Sequence, residues 1–396
     1  MQIILIIATA LSCLIWLYLI LFNGRFWHFR ETLCAAEAGH VATIAHPVPD
    51  VVAVIPARDE AETIGAVVKG HLASTYPGRF TILVVDDQSS DGTGDIVRAL
   101  GREASRPDRP VHVVEGQPLP KNWSGKLWAV HNGLQAAESL APDAPYILLG
   151  DADIVHAPET LIKLVTKAET GKRALVSVMA VLDARGFWGG LLIPAFIFFF
   201  QKLYPFHATN DRSSRIAGAA GGCMLINRAV LREIGGVESI SGTLIDDCAL
   251  AARIKDARGK KRAIWLGFDP GVVSLRDNRA LHTIWKMVAR TAFTQLGFST
   301  LALFGAVLGM TLTYIVAPLA FFTLPLHGSG LAFTLGTWAW LLSMVAYGPT
   351  LLRYGKSPIW ALALPLSAAF YLAMTVSSAL NHLRGQGGAW KGRTYS

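Results

Sequence analysis

Two acidic clusters stand directly after apolar runs: Asp86-Asp87 closes residues 81–85, and Asp151-Ala152-Asp153 closes residues 146–150. In an open parallel sheet the ligand crevice lies outside the carboxyl ends of the strands, so two strands ending in aspartates predict one shared pocket. Such a pocket suits a cationic ligand or one bridged by a metal. Asp151 and Asp153, one residue apart on an extended segment, aim at the same side. A further pair, Asp246-Asp247, precedes the helix-like run 249–254. Each cluster also has a plainer reading: a solvated turn for Asp151/Asp153, an Asx turn for residues 86–91 and a helix-capping pair for Asp246/Asp247.

The elements that must position these carboxylates form an α/β pattern between residues 51 and 270. Strands are expected at 51–55, ended by Pro56, and at 81–85, 111–114 and 146–149. Helices are expected at 60–72, from the spacing of Ile64, Val67, Val68 and Leu72, at 93–100 with Asp91 or Thr93 as cap, and at 127–137. No GxGxxG opens the first helix and no GxxxxGK[ST] occurs, which argues against a dinucleotide site or a P-loop. The small, Gly-rich run 217–227 predicts close backbone approach to a ligand. His46, His71, His112, His131, His156 and His207 lack metal-ligand spacing and read as structural or surface residues.

Of the 396 residues, 52% are hydrophobic, an excess that calls for membrane segments. Residues 3–22 are nearly unbroken apolar chain, long enough to cross a hydrocarbon core of roughly 30 Å, and read as a retained signal anchor. Three more stretches, 299–324, 331–352 and 359–380, predict a helical membrane domain. Arg25, Arg30, Arg353 and Lys356 flank these segments, while the loop 325–330 carries no full charge. The positive-inside rule then places the amino terminus outside and the middle of the chain in the cytoplasm. Three simple crossings would export Arg384, Lys391 and Arg393, so the last stretch, interrupted by Pro365, is expected to be re-entrant or interfacial. Residues 186–206 are read as a helix at the membrane interface with its aromatic side toward lipid, against the alternative of a buried domain helix. The basic residues behind the net charge of +8 are scattered among membrane-flanking positions, where anionic headgroups explain them more simply than nucleic acid. Cys13, Cys34, Cys223 and Cys248 show no ligand spacing and read as reduced packing residues.

Four motifs in order carry a resemblance: Val54-Ile55-Pro56-Ala57-Arg58-Asp59-Glu60, then Val84-Val85-Asp86-Asp87 continuing to Thr93, then Gly125-Lys126 continuing to Gly133, then Asp151-Ala152-Asp153. Together they resemble the family 2 glycosyltransferases with the GT-A fold. The flanking apolar segments and Trp390-Lys391-Gly392-Arg393 resemble the hopene-associated branch, relatives of ceramide glucosyltransferases. The resemblance implies a nucleotide-sugar donor and Mg²⁺ or Mn²⁺, a hard cation held by carboxylate oxygens that stabilises the diphosphate leaving group. It assigns Asp153 chiefly to the metal and Asp151 to the ribose or metal shell. By the same resemblance Pro56, Ala57 and Glu60 line the base and ribose pocket, Asp87 accepts from a uracil imide with Asp86 supporting the loop, and Lys126 contacts the diphosphate, against a plain surface lysine. Asp246-Asp247 resembles the family's EDxxL element, completed by Leu250, with Asp247 as the base for an acceptor hydroxyl. The QxxRW element of processive synthases survives only as Arg290, a phosphate contact or a membrane anchor.

These readings divide the chain into a transmembrane anchor (1–23), a cytoplasmic linker (24–50), a GT-A domain (51–297) with an interfacial helix (186–206), transmembrane helices (298–380) and a basic tail (381–396). The expected function is transfer of one sugar from a nucleotide sugar, UDP-linked, to a lipid hydroxyl at the cytoplasmic membrane, with inversion, and in hopanoid metabolism. A polyprenyl-phosphate sugar synthase, whose acceptor needs no strong base, and a nucleotide-binding membrane scaffold or lipid transporter are the alternatives.

Overall fold

The computed structural model describes residues 2–34, 47–243, 246–259, 261–385, 389–390 and 393–394. The expectations for most of the linker, including His46, and for much of the basic tail fall outside these residues, as do Leu244 and Ile245 within the Asp246/Asp247 motif. Eight strands form one sheet: β1 (Val51–Ala57), β2 (Phe80–Asp86), β3 (Val111–Glu115), β4 (Tyr146–Gly150), β5 (Ile154–His156), β6 (Leu175–Val181), β7 (Cys223–Asn227) and β8 (Ile264–Ser274), in the order β3-β2-β1-β4-β7-β6-β8-β5. The first four strands are parallel. β7 then runs antiparallel between β4 and β6, so the sheet is mixed.

β1, β2 and β4 are buried along their whole length because helices cover both faces. Alternate residues of β1 divide between two cores. Val51, Ala53 and Ile55 pack with Ile64, Val67 and Val97 on one side, while Val52 and Val54 pack with Leu127, Val130 and Leu250 on the other. Helix Gly125–Leu140 sits so close to the sheet that a Cβ on Gly133 would lie 2.4 Å from Val54 Cγ1 and 2.8 Å from Val85 Cγ2. This close packing holds Lys126, in the first turn of that helix, over the strand ends.

The helix before β2 is shorter than its apolar spacing predicts, Ile64–Leu72. The next, Thr93–Ala104, is entered through Gly92 at φ 87° with no side-chain cap. Gly92 has no side chain to offer, and Asp91 before it supplies the expected bond: its Oδ1 accepts from the first-turn N–H of Thr93 and from Thr93 Oγ1–H, while its Oδ2 accepts from Ala61 N–H, tying the β2 loop to the β1 loop.

Five helices are long and apolar enough to cross a membrane: Gln2–Phe22, Gly186–Leu203, Thr300–Phe322, Gly330–Arg353 and Pro358–Leu383. They share a third core, in which the Trp16 indole donates to Thr313 O at 2.8 Å. Helix Gly186–Leu203 corrects the expectation of an aromatic side turned to lipid. Phe198 is fully buried between Trp16, Phe26 and Tyr347, and Phe199 meets Tyr314 and Tyr371. Tyr371 Oη and Ser367 Oγ also donate to its backbone, at Leu192 O and Leu191 O. Pro365 marks the point within the last span where the 3₁₀ turn Pro358–Ala363 gives way to an α-helix, rather than a break inside that helix. It lies in the first turn of Leu364–Leu383, where the missing N–H has no helical acceptor to lose.

The close approach at Gly133 has a measurable cost. Gly133→Ala is expected to destabilise the protein by about 1–3 kcal/mol through overpacking against β1 and β2, despite alanine's better helix propensity. Gly65→Ala, whose Cβ would meet only an ordinary 3.5 Å contact, should be neutral or slightly stabilising in the same denaturation series.

Candidate active site

Three chain segments far apart in sequence converge at the carboxyl ends of β1 and β4. Asp151 leaves β4, Lys126 rises from helix Gly125–Leu140, and Asp246 and Asp247 open helix Asp246–Lys255. Lys126 Nζ lies 2.8 Å from Asp151 Oδ1 and 3.5 Å from Asp246 Oδ2. One narrow cleft is lined by Pro56, Lys126, Asp151, Gly221, Asp246 and Asp247. The acidic clusters before and after helix Gly186–Leu203 therefore meet on one side of it.

Asp151-Ala152-Asp153 is a turn, not the extended segment expected: Ile154 N–H donates back to Asp151 O as the chain leaves β4 for β5. The two carboxylates consequently take different cationic partners. Asp153 Oδ2 lies 3.1 Å from Arg276 Nε and accepts from Ser274 Oγ at 3.4 Å, both residues lying at the end of β8. Asp247 is held by backbone donors. Its Oδ2 accepts from Gly221 N–H at 2.9 Å and its Oδ1 from Cys248 N–H at 2.7 Å. Asp246 Oδ1 accepts from Asp247 N–H, so the pair makes the local bonds expected of a helix start while also facing the cleft.

Charges in this cleft are coupled. Burial alone would lower the Lys126 pKa, but Asp151 and Asp246 outweigh it and hold the ammonium charged. Burial pushes Asp151 up, yet the Lys126 ammonium brings it below the ordinary carboxylate range, helped by Arg276 and Arg290. Asp153 is raised by burial, and the negative charges of Asp151 and Glu60 add to that against Arg276. Asp247 is pushed up to about 6, by burial first and then by the neighbouring Asp246.

The remaining expected residues lie around this centre. Ala57 ends β1 and its carbonyl accepts from Asp87 N–H at 2.8 Å. Asp87 is fully buried with Arg58 Nη1 3.8 Å from its carboxylate. Asp86 Oδ1 accepts from Ser89 N–H, so the Asx-type turn exists in the same loop. Asp59 and Gln88, at φ 50° and 58°, take the left-handed conformation in the two adjoining loops. Glu60 is close enough to Asp153 to raise it, and Arg290, at the end of helix Leu281–Ala289, is close enough to Asp151 to lower it.

Arg276, Ser274 and Gly221 are the site residues that the motifs miss. The strand-end argument would have reached Arg276 had β8 been recognised. The Gly-rich run did mark a close approach: a Cβ on Gly221 would lie 3.4 Å from Asp247 Oδ2. Of the histidines, His71 and His156 are buried against each other, ring centroids 4.8 Å apart, and His131 stacks on Trp128.

Residues 52–235 match the sequence model described as glycosyl transferase family 2. The mannosyltransferase PcManGT from Pyrobaculum calidifontis, solved in complex with GDP-Man and Mn²⁺, is similar in structure, with a TM-score of 0.56 at 17% identity over 97% of this chain and 99% of that one. Glucosyl-3-phosphoglycerate synthase from Mycobacterium tuberculosis, solved with Mn²⁺ and UDP-glucose, gives a TM-score of 0.43 at 20% identity over 66% of this chain and 82% of its own. No curated protein sequence matches.

The Asp247 environment predicts a pH dependence. With a folded pKa near 6 against an ordinary 3.8, this group contributes stability that is complete below 3.8 and is lost as pH rises through 6. Asp247→Asn should lack that decline. In melts without nucleotide or metal, its Tm relative to wild type should climb between pH 4 and pH 7; a constant offset would contradict the shift.

Proposed function

Since the chain belongs to the family 2 glycosyltransferases and has the GT-A fold, we propose that it moves one sugar from a UDP-linked donor to the hydroxyl of a membrane lipid, with inversion, at the cytoplasmic face. The observation that carries this reading is Asp247, a carboxylate of raised pKa held by two backbone N–H groups in the same cleft as Asp151 and Lys126. A base poised near neutral pH is what a hydroxyl acceptor needs. The acceptor oxygen attacks the anomeric carbon, its proton passes to Asp247, and the bond from the anomeric carbon to the diphosphate oxygen breaks, the electron pair leaving with the nucleoside diphosphate. Lys126 and Arg290 supply positive charge toward the departing diphosphate. Asp87, supported by Asp86, accepts from the base, and Pro56, Ala57 and Glu60 flank it and the ribose.

Asp151 and Asp153 fit a divalent cation. Their oxygens are hard donors, and Asp153 is raised partly by Asp151 and Glu60, a repulsion that a cation relieves. Among the described residues no three acidic, His or Cys side chains gather as a ligand set, so Asp151 and Asp153 would hold the cation together with oxygens from outside the chain. When bound, Mg²⁺ or Mn²⁺ neutralises charge on the leaving diphosphate. Two observations support the lipid acceptor. Four other apolar helices share a core with the sheet domain's own helix Gly186–Leu203, and Arg290 begins the passage from the site to those helices. Hopanoid is the acceptor proposed from the resemblance. The cytoplasmic placement rests on the positive charge that flanks the amino-terminal helix and follows helix Gly330–Arg353.

The reading is tested with purified membranes, a panel of radiolabelled nucleotide sugars and identification of the labelled lipid. Asp247→Asn should bind donor normally and lose transfer by 10² to 10⁴-fold, the usual cost of removing a positioned base. Near-normal transfer by that variant would point instead to an acceptor phosphate, which needs no strong base. Asp153→Asn should lose most transfer while retaining its fold, and wild-type turnover in excess EDTA would refute the metal assignment.

A further inference from the structure

A second concavity lies among the apolar helices, bounded by helix Leu281–Ala289, helix Thr300–Met310 with the π-helical turn Thr311–Ile315, and helix Leu364–Leu383. Its volume is about 580 Å³. Its two ends differ in chemistry. Val307, Ile315, Ala369 and Ala373 line one end, where the small alanines leave the space open; Trp285, Asn381 and Arg384 line the other. From Ala369 to Arg384 the helix rises about 22 Å at 1.5 Å per residue.

The polar end is tied to the catalytic domain. Trp285 Nε1 donates to Ser377 Oγ, and Phe293 N–H donates to Ser378 Oγ. The helix that brings Trp285 to the rim ends at Arg290, whose charge reaches Asp151. Two residues beyond Phe293, Gln295 donates to Tyr204 Oη at 2.7 Å, and that phenol is close enough to Cys248 and Asp247 to be raised by them. The groove thus runs from an apolar interior to the side of the molecule that holds the proposed base. A π-turn on its wall is a further mark, since such turns recur at functional sites.

We propose that this groove holds the apolar body of the acceptor lipid, with the polar head at the Asn381/Arg384 rim directed toward Arg290 and Asp247. The inference rests on the lipid-acceptor reading above and adds the place and orientation of that lipid. Rim and body are complementary to an amphiphile: an amide and a guanidinium supply donors to a hydroxylated or anionic head, and aliphatic side chains meet its tail. A bulk phospholipid that merely seals the helices is the competing occupant.

The test uses the full chain in nanodiscs, with UDP affinity and lipid glycosylation measured side by side. Ala373→Trp fills the groove and should raise the KM for lipid acceptor at least tenfold, with UDP affinity unchanged. Arg384→Ala should raise that KM several-fold. If Ala373→Trp does not fold, Ala373→Cys in a Cys34→Ser background, labelled after purification with a bulky maleimide, fills the same space in a folded protein. Wild-type KM in the filled proteins would overturn the groove and assign it to bulk lipid, leaving the acceptor class intact. Failure of the wild type to label any lipid while it binds UDP would overturn the acceptor reading and the groove together.

Discussion

Crowding of carboxylates in one poorly solvated cleft is the constraint around which the molecule is arranged. Asp151, Asp246 and Asp247 line it with Asp153 next to Asp151; burial raises Asp153 and Asp247, and on Asp151 the Lys126 ammonium overcomes that rise. Lys126 between Asp151 and Asp246, Arg276 on Asp153 and the N–H groups of Gly221 and Cys248 on Asp247 are the compensations. Each is delivered by a different element. Helix Gly125–Leu140 needs Gly133 to seat against the sheet, β8 must end beside β5, and the Gly-rich approach to β7 must come close enough to bond Asp247. The mixed sheet meets these demands because antiparallel β7 brings the chain back beside β4 just where Asp151 leaves it.

The same arrangement explains why the sheet domain and the apolar helices form one body. Helix Gly186–Leu203 leaves β6 and enters the core of the apolar helices, where Phe198 packs on Trp16 and Tyr371 and Ser367 bond its backbone. Its far end delivers Tyr204 to the neighbourhood of Asp247 and Cys248. Displacement of the apolar helices would therefore be felt at the cleft through a packed helix.

Much of this was legible in the sequence because it is local. Strands β1 to β4 show as short apolar runs, and the aspartates that end β2 and follow β4 are contiguous with them. The helix expected at 127–137 lies within Gly125–Leu140, whose start is fixed by the Ser124 side chain. What was not legible depends on distance or on a choice of partner. Arg276 meets Asp153 only because β8 pairs with both β5 and β6, a pairing no local pattern announces. Composition says that residues 186–203 want an apolar environment, but lipid tails and the rings of Tyr314 and Tyr371 satisfy that want alike. Pro365 was read as an interruption because a proline's effect depends on its position in the helix, which the sequence leaves open to within a turn.

The charge state of Lys126 is the point at which stability and activity become one problem. With its ammonium between Asp151 and Asp246, Lys126 offsets part of the cleft's negative charge, and Asp151 stays ionised. A donor diphosphate offers the same ammonium a more concentrated negative charge. A divalent cation offers Asp151 a stronger counter-ion than Lys126 provides. Binding both together exchanges one set of paired charges for another and leaves none unpaired in a region of low dielectric. Either one alone would leave an uncompensated charge of several kcal/mol. On the proposed reading nucleotide and metal would enter cooperatively, and donor binding would exchange the Lys126 contacts that stabilise the cleft.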